Sequence, residues 1–445
     1  MTYFDSRHLS HRFRDYSDNM TSQKSLSEPS HLPVTAADIT AAAERLQGVA
    51  VVSPLHVSQR LSEKTGAEIW LKREDLQPVR SYKIRGAYNL ISQLDTHQRA
   101  MGVVCASAGN HGQGVAMACA LLGVHAEIYV PTTTPRQKRE RMMALGGGLL
   151  QLVVRGDTYD DSYRFALEAA ERHGMTMVPA FDDARTIAGQ GTVAREIIEQ
   201  LGRGPDAMMV PVGGGGMVAG ILTWLAVHSP HTRVIGVEPA GAPCLRAALA
   251  AGGPVVLDRI DTFVDGAAVR RIGTLPYQIA SRCGLEMEII PEGRVCSEML
   301  ELYQADGIIA EPAGALATSA LGQWMPEPGQ TVVAILSGGN NDVSRYAEII
   351  ERSLIYEGRK HYFLVSFPQE PGALRRFLDE VLGPNDDITY FEYVKRSNRE
   401  MGPALVGIEL GSRDDLPGLL RRLAHTNIEV ETIDPQSSMF RFLIP

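Results

Sequence analysis

The stretch Pro211-Val212-Gly213-Gly214-Gly215-Gly216-Met217-Val218-Ala219-Gly220 decides how this 445-residue chain is read. Four consecutive glycines stand between an apolar, strand-like run at 207–212 and a helix-like run at 217–227. Only glycine lets successive backbone N–H groups crowd around one anion, and the helix that follows turns its positive end to the same point. The stretch predicts a phosphate cradle at the carboxyl end of a strand. A nucleoside triphosphate is not implied, because a P-loop needs Gly-Lys-Ser/Thr after its glycines, and Met217, Val218 and Ala219 follow Gly216 here. The uncharged run 207–227, with Gly216 and Gly220 as a GxxxG pair, also imitates a membrane helix. Its glycines and Pro211 suit a strand, a turn and a short helix better, and no second segment approaches the roughly 20 apolar residues of a span.

Outward from the cradle, short apolar runs at 68–72, 102–106, 127–130, 149–154, 233–237 and 331–336 alternate with helical periodicity, as at 162–173 and 193–201. This α/β punctuation predicts mostly parallel sheets covered on both faces, with ligands gathered at the strands' carboxyl ends. After Arg352 the order becomes βαββαβ: strands at 361–367, 388–395, 404–410 and 428–433, helices at 372–382 and 416–425. That is a split-βαβ, ferredoxin-like pattern, a compact binding module.

A net charge of -9 without a lysine/arginine block argues against a nucleic-acid partner. The odd set Cys105, Cys119, Cys244, Cys283 and Cys296, with no CxxC spacing, predicts reduced, mostly buried thiols. Residues 1–32 are polar and lack the apolar core of a signal peptide, so a disordered tail and a cytoplasmic protein without membrane association are expected.

Three strand-end segments join the cradle. Lys83 lies in Ser81-Tyr82-Lys83-Ile84-Arg85-Gly86-Ala87, at the start of a helix. Ser107-Ala108-Gly109-Asn110-His111-Gly112-Gln113-Gly114 follows the strand at 102–106 and opens another helix, a second anion-receptive turn. Ser337-Gly338-Gly339-Asn340 follows the strand at 331–336. One lysine, one phosphate cradle and convergent neutral polar groups suit pyridoxal phosphate, which needs an amine for its aldehyde, an anchor for its phosphate and a partner for its ring nitrogen.

These motifs, SYKIRGA, SAGNHGQG, PVGGGGMVAG, EPAGA and SGGNND, resemble fold-type II pyridoxal-phosphate enzymes, and together the biosynthetic threonine dehydratase (threonine ammonia-lyase) family, from about Thr35 to the C-terminus. The resemblance implies a tryptophan synthase β-like α/β fold with two open sheets and a C-terminal α+β, ACT-like regulatory domain. Its expected limits are a catalytic domain at 33–352 with a small subdomain at roughly 75–178, a connector at 353–360 and a regulatory domain at 361–445. Residue by residue, it makes Lys83 the Schiff-base lysine and catalytic base, and Gly213, Gly214, Gly215, Gly216 and Met217 the donors to the cofactor phosphate. Asn110 would bond the ring 3'-oxygen, Ser337 would face the pyridine nitrogen, and Ser107, Asn110 and His111 would surround the substrate carboxylate. L-Threonine as substrate, weaker action on L-serine, L-isoleucine as feedback effector and a homotetramer are implied with it. The effector is expected between 365–374 and 388–394.

A serine hydroxyl at Ser337 cannot keep the ring nitrogen fully charged, so a Cα carbanion should be short-lived and loss of a β-leaving group should win over reprotonation. Serine racemases resemble the chain but carry a second serine where Ala108 stands, which disfavours racemisation. Relatives that bind a divalent cation use an acidic pair; here Glu238 is kept and Cys244 takes the other place, so no metal is expected. A β-replacing synthase and a silent amino-acid sensor on the same fold are the competing readings. Glu311 reads equally as a first-turn acid or as a group near the cofactor, Met142 and Met143 as core packing. Arg375, Arg376, Arg421 and Arg422 read as solvated helix faces.

Overall fold

The computed structural model describes residues 32–393, 401–426, 428–434, 437 and 440, so the tail expected at 1–32 lies, except for Leu32, outside the described residues. Ten strands precede residue 340: β1 (Leu55–Val57), β2 (Glu68–Arg73), β3 (Val103–Ala106), β4 (Ala126–Val130), β5 (Leu150–Val154), β6 (Thr176–Met177), β7 (Ala207–Pro211), β8 (Arg233–Pro239), β9 (Glu286–Ile290) and β10 (Thr331–Leu336). They form two open sheets, ordered β1-β2-β10-β7-β8-β9 and β5-β4-β3-β6. Every pairing is parallel except β1 with β2. The central strands β3, β4, β7 and β10 are buried at every residue, as strands with both faces covered must be. Sequence reading overlooks β1, β6 and β9. The first two are too short for a periodic signal, and β9, Glu286-Met287-Glu288-Ile289-Ile290, is an edge strand that carries charge.

The cradle's sequence places its helix well inside the protein. Helix Gly216–His228 is buried along its first ten residues, which accounts for the membrane-like composition of 207–227. Among the described residues, no helix is long and apolar enough to cross a membrane.

Helix Ala184–Leu201 is wedged between that helix and helix Lys83–Ile91. Glycines make the contacts. A Cβ on Gly189 would stand 2.4 Å from the Arg85 carbonyl oxygen, and one on Gly220 would stand 2.6 Å from Gly191 Cα. Such backbone-on-backbone packing allows no side chain between.

Beside this contact, Arg85 is fully buried and grips two carboxylates. Its Nε and Nη2 donate to Glu74 at 2.8 Å each, and its Nη1 and Nη2 donate to Glu196 at 2.6 and 2.9 Å. Lys72, also buried, donates to Glu196 at 2.7 Å, to Ser53 O and to Gln200. Two cations and two carboxylates thus tie β2, helix Lys83–Ile91 and helix Ala184–Leu201 together. The geometry is of the fork-to-fork kind that a guanidinium provides and an ammonium does not.

The C-terminal strands β11 (Lys360–Pro368), β12 (Asp387–Tyr393), β13 (Met401–Glu409) and β14 (Glu429–Thr432) form an antiparallel sheet ordered β12-β13-β11-β14, interleaved with helices Ala373–Val381 and Leu416–His425. This is the ferredoxin-like order that βαββαβ predicts. Phe363, Val365, Phe367, Phe377, Val406, Ile408 and Leu419 fill its core. One expectation is corrected here. Arg422 does not belong to a solvated face: its Nε donates to Val381 O at 2.5 Å and its Nη2 to the buried Asp386 carboxylate at 2.8 Å, so it closes the end of the neighbouring helix.

Helix Tyr346–Tyr356 leads into β11 and runs across residue 352 without a break. The guanidinium groups of Arg345 and Arg352 lie over the Phe263 ring at 4.6 and 4.4 Å, and Arg345 Nη2 donates to Phe263 O at 2.8 Å. The loop that carries Phe263 continues to Gly266 and Ala267, at the floor of the site.

Candidate active site

Four strand ends converge, as the α/β rule requires. After β7, Gly213 to Gly216 turn the chain into helix Gly216–His228, with Gly215 at φ 88. Among the described residues, no oxygen accepts from the N–H groups of Gly213 to Met217. The turn has no room for side chains. A Cβ on Gly213 would come within 2.9 Å of Ala267 Cα, on Gly214 within 2.1 Å of the Phe181 ring, and on Gly216 within 2.4 Å of Gln190 Oε1. Converging N–H groups without acceptors at the start of a buried helix are what a phosphate dianion needs.

Lys83 opens its helix directly above β2's end, with Nζ donating to Ala180 O at 3.1 Å. The Tyr82 ring lies 5.1 Å from that Nζ. Gln190 Nε2 donates to the same Ala180 carbonyl at 3.1 Å, so the lysine's amine and the cradle share one loop, Ala180-Phe181. Arg80, three residues before the lysine, has φ 55; among the described residues it is the one non-glycine with a left-handed backbone. The conformation costs about 1–2 kcal/mol. It is held by Arg80 N to Gln77 O at 2.6 Å and by Gly339 N to Arg80 O at 2.9 Å.

The same contacts sew the lysine segment to the segment after β10. Ser81 bridges Gly338, and Tyr82 N donates to Ser337 O at 3.2 Å. Ser337 is buried, with Oγ donating to Ala313 O at 3.1 Å. It is a neutral hydroxyl whose lone pairs remain open.

Asn110 and His111 begin helix Asn110–Leu122 after β3. Gly114 of that helix touches the lysine's own backbone: a Cβ there would lie 3.1 Å from Lys83 C. Asn110 Nδ2 donates to Glu311 Oε1 at 2.5 Å, and Asn110 Oδ1 accepts from Asn340 Nδ2 at 2.7 Å. Ser107 Oγ accepts from Gly109 N at 3.3 Å. His111 Nε2 donates to Val178 O at 2.8 Å, which makes Nδ1 an acceptor, and Nδ1 is buried with no partner among the described residues. Burial and the Lys83 charge push the imidazole down to about 3, with the Val178 bond opposing. The ring is therefore neutral and cannot offer a proton to an anion at ordinary pH.

The structure brings together all the residues singled out from the sequence: Lys83, the tetraglycine, Asn110, His111, Ser107 and Ser337. It adds Phe181, Gln190, Glu311 and Asn340. The signal for Gln190 was present in Gly189-Gln190-Gly191, which repeats the Gly112-Gln113-Gly114 of the second loop. Nothing local pointed to Phe181.

Glu238 accepts from Leu245 N at 2.7 Å and Arg246 N at 3.0 Å, capping helix Cys244–Ala251. Burial pushes its carboxyl up to about 7 against those bonds. Among the described residues, no cluster of ligands is arranged for a metal ion.

Pyridoxal phosphate fits these residues on three counts: a cradle that any Cβ would fill, a lysine one loop away from it, and buried polar atoms at Ser81 Oγ, His111 Nδ1 and Gln190 Oε1 that lack partners among the described residues. The sequence agrees. Residues 47–338 match the family model described as pyridoxal-phosphate dependent enzyme, and 351–443 match that of the C-terminal regulatory domain of threonine dehydratase. The chain is 59% identical over 421 residues to a biosynthetic L-threonine dehydratase of Mycobacterium tuberculosis, covering 94% of this chain and 98% of that one. With the corresponding protein of Bacillus subtilis the identity is 47% over 407 residues, 91% and 96% of the two chains. Among solved structures, the processed form of threonine deaminase isoform 2 from Solanum lycopersicum matches with a TM-score of 0.68 and 38% identity, covering 72% of this chain and 87% of that one. The chain belongs to the pyridoxal-phosphate dependent enzymes and, within them, to the family of biosynthetic L-threonine dehydratases.

Proposed function

We propose that the protein dehydrates and deaminates L-threonine to 2-oxobutanoate and ammonia, acts more weakly on L-serine to give pyruvate, and is restrained by L-isoleucine bound in the unit at 361–445. In this reading 33–352 is the catalytic unit, and the protein works as a cytoplasmic homotetramer in isoleucine biosynthesis. The observation that carries the choice of reaction is Ser337. Its hydroxyl is buried, neutral and anchored on Ala313 O, so it can bond the cofactor's ring nitrogen without holding a full positive charge there.

Bound pyridoxal phosphate supplies the electron sink that lets a proton leave Cα of the amino acid. The tetraglycine and Met217 hold its phosphate by main-chain N–H groups, Asn110 bonds its 3'-oxygen, and Lys83 takes its aldehyde. For the substrate, the free N–H groups at the start of helix Asn110–Leu122, with Ser107, receive the carboxylate. The His111 ring takes no part in that contact, because its Nε2 proton is committed to Val178 O. Lys83 Nζ receives the Cα proton, and the β-hydroxyl leaves as water once protonated. The resulting enamine tautomerises and takes up one water to give 2-oxobutanoate and ammonia. Ala108, where a racemase needs a second base on the opposite face, argues for elimination rather than racemisation.

For the effector, strand ends near 365–374 and 388–393 do lie together: the Phe367 ring is 6.1 Å from Phe391 and 6.2 Å from Tyr393. Residue 394 of the expected lining is outside the described residues. The test is the release of 2-oxobutanoate from L-threonine by purified protein, with and without isoleucine, and by a chain ending at Glu357. Product that isoleucine suppresses only in the full chain is expected. No product at any isoleucine concentration would overturn the catalytic reading, and suppression that survives the truncation would overturn the regulatory one.

A further inference from the structure

Asn110 is gripped from both sides. Its nitrogen donates to Glu311 and its oxygen accepts from Asn340, whose Nδ2 also donates to Val79 O at 2.8 Å. An ionised carboxylate only accepts, so the amide of Asn110 has a single orientation and one Nδ2 hydrogen left to offer. Glu311 is enclosed completely. A Cβ on Gly338 would lie 2.2 Å from Glu311 Oε1, and Glu311 N donates to Gly338 O at 3.2 Å, so the carboxyl occupies space that only glycine leaves. The charges that face it come from three elements. Asp265 lies on the Phe263 loop, and Lys138, on helix Arg136–Gly146, bonds Asp265 at 2.7 Å; Asp75 and Arg80 lie against Gly339. Burial, with Asp265 adding, pushes the Glu311 carboxyl up to about 7, while the Asn110 bond, Lys138 and the Asn340 N–H oppose.

We propose that Glu311 is a positioning residue for the cofactor's 3'-oxygen: it turns Asn110 so that the free amide hydrogen meets that oxygen, and its own proton sets the charge one amide away. This rests on the reading of Asn110 given under Proposed function. Ionised, Glu311 disfavours negative charge on the 3'-oxygen; protonated, it does not. The bound cofactor's visible spectrum then titrates with Glu311 in the neutral range.

The experiment uses full-length apoprotein and pyridoxal phosphate without substrate. Affinity is read by quenching of tryptophan fluorescence, and the spectrum is followed from about pH 6 to about pH 9. Glu311→Gln, which still accepts from Asn110, is expected to keep Kd within about threefold and to lose the neutral-range spectral transition; Glu311→Leu, which orphans the amide, is expected to weaken binding about tenfold. Asn110→Ala is expected to disturb both affinity and spectrum. If Glu311→Gln keeps the wild-type transition, or binds more than about tenfold more weakly than wild type, the inference is overturned while the Asn110 reading stands. If Asn110→Ala binds and absorbs as wild type, the Asn110 reading itself fails. Should Glu311→Leu not fold, the Gln variant's transition decides alone.

Discussion

Replacing Arg85 by methionine tests whether the buried charge network holds the lysine helix in place. Arg85 closes four bonds to Glu74 and Glu196 at 2.6 to 2.9 Å, and further bonds to Thr192 Oγ at 3.1 Å and Val51 O at 3.3 Å. Methionine fills much of the same space. What it removes is one cation of four balanced charges, leaving Glu74 and Glu196 to share Lys72. Breaking a buried pair from one side costs about 3–5 kcal/mol, against a total stability of about 5–15 kcal/mol. Burial pushes the Glu74 carboxyl up, and Arg85, Lys72 and Ser53 more than reverse it, holding it below its ordinary value. A depressed carboxylate contributes stability above its unfolded pKa and loses it as the pH falls through the folded one. Without Arg85 that acid limb should move to higher pH. The assay is urea unfolding followed by tryptophan fluorescence, since Trp70, Trp224 and Trp324 all belong to the large-sheet unit. Adding Glu74→Gln to Arg85→Met restores neutrality, and the double variant should be more stable than the sum of the single losses by about 1–3 kcal/mol. A single loss below about 1 kcal/mol, or strict additivity in the double variant, would refute the reasoning.

Gly213→Ala sets a Cβ 2.9 Å from Ala267 Cα, a backbone contact that cannot rotate away, so pyridoxal phosphate affinity should fall at least about tenfold while the fold survives, as checked by equilibrium titration and circular dichroism. For Glu238, whose folded carboxyl is raised to about 7, the sign runs the other way from Glu74: its contribution is full below the unfolded value and is lost as the pH rises through 7. Glu238→Gln should therefore lose more stability at pH 5 than at pH 8, and an equal loss at both would count against the burial of its charge. Arg422→Ala removes bonds to Val381 O and Asp386; hydrogen exchange in helix Ala373–Val381 should quicken by about 1.5–3 kcal/mol of opening free energy.

Much of this protein is legible because its decisive segments are local. The tetraglycine, the strand before it and the helix after it are contiguous, and each of Lys83, Asn110 and Ser337 sits at a strand-to-helix junction that hydropathy alone reveals. The ferredoxin-like order is legible for the same reason: alternating residues such as Phe363, Val365 and Phe367 declare their buried face. What escaped was non-local. Glu311 looked like a first-turn acid, and only the fold shows that 201 residues separate it from the amide it orients. Arg422 has the composition of a solvated face, and its role depends on an aspartate 36 residues away. His111 was rightly placed near the site, but the direction of its ring is decided by the Val178 carbonyl on a separate segment.

The stack of Arg345 and Arg352 on Phe263 has a mechanical meaning. The wall of the phosphate cradle at Ala267 is not owned by the strand that makes the cradle; it is lent by a loop clamped to the helix that enters the C-terminal sheet. The C-terminal unit and the cradle are thus coupled in series through about one helix and one loop, like links of a chain rather than two weights on a common frame. In such an arrangement a displacement does not need to be large to be felt, because close-packed contacts have almost no slack to absorb it.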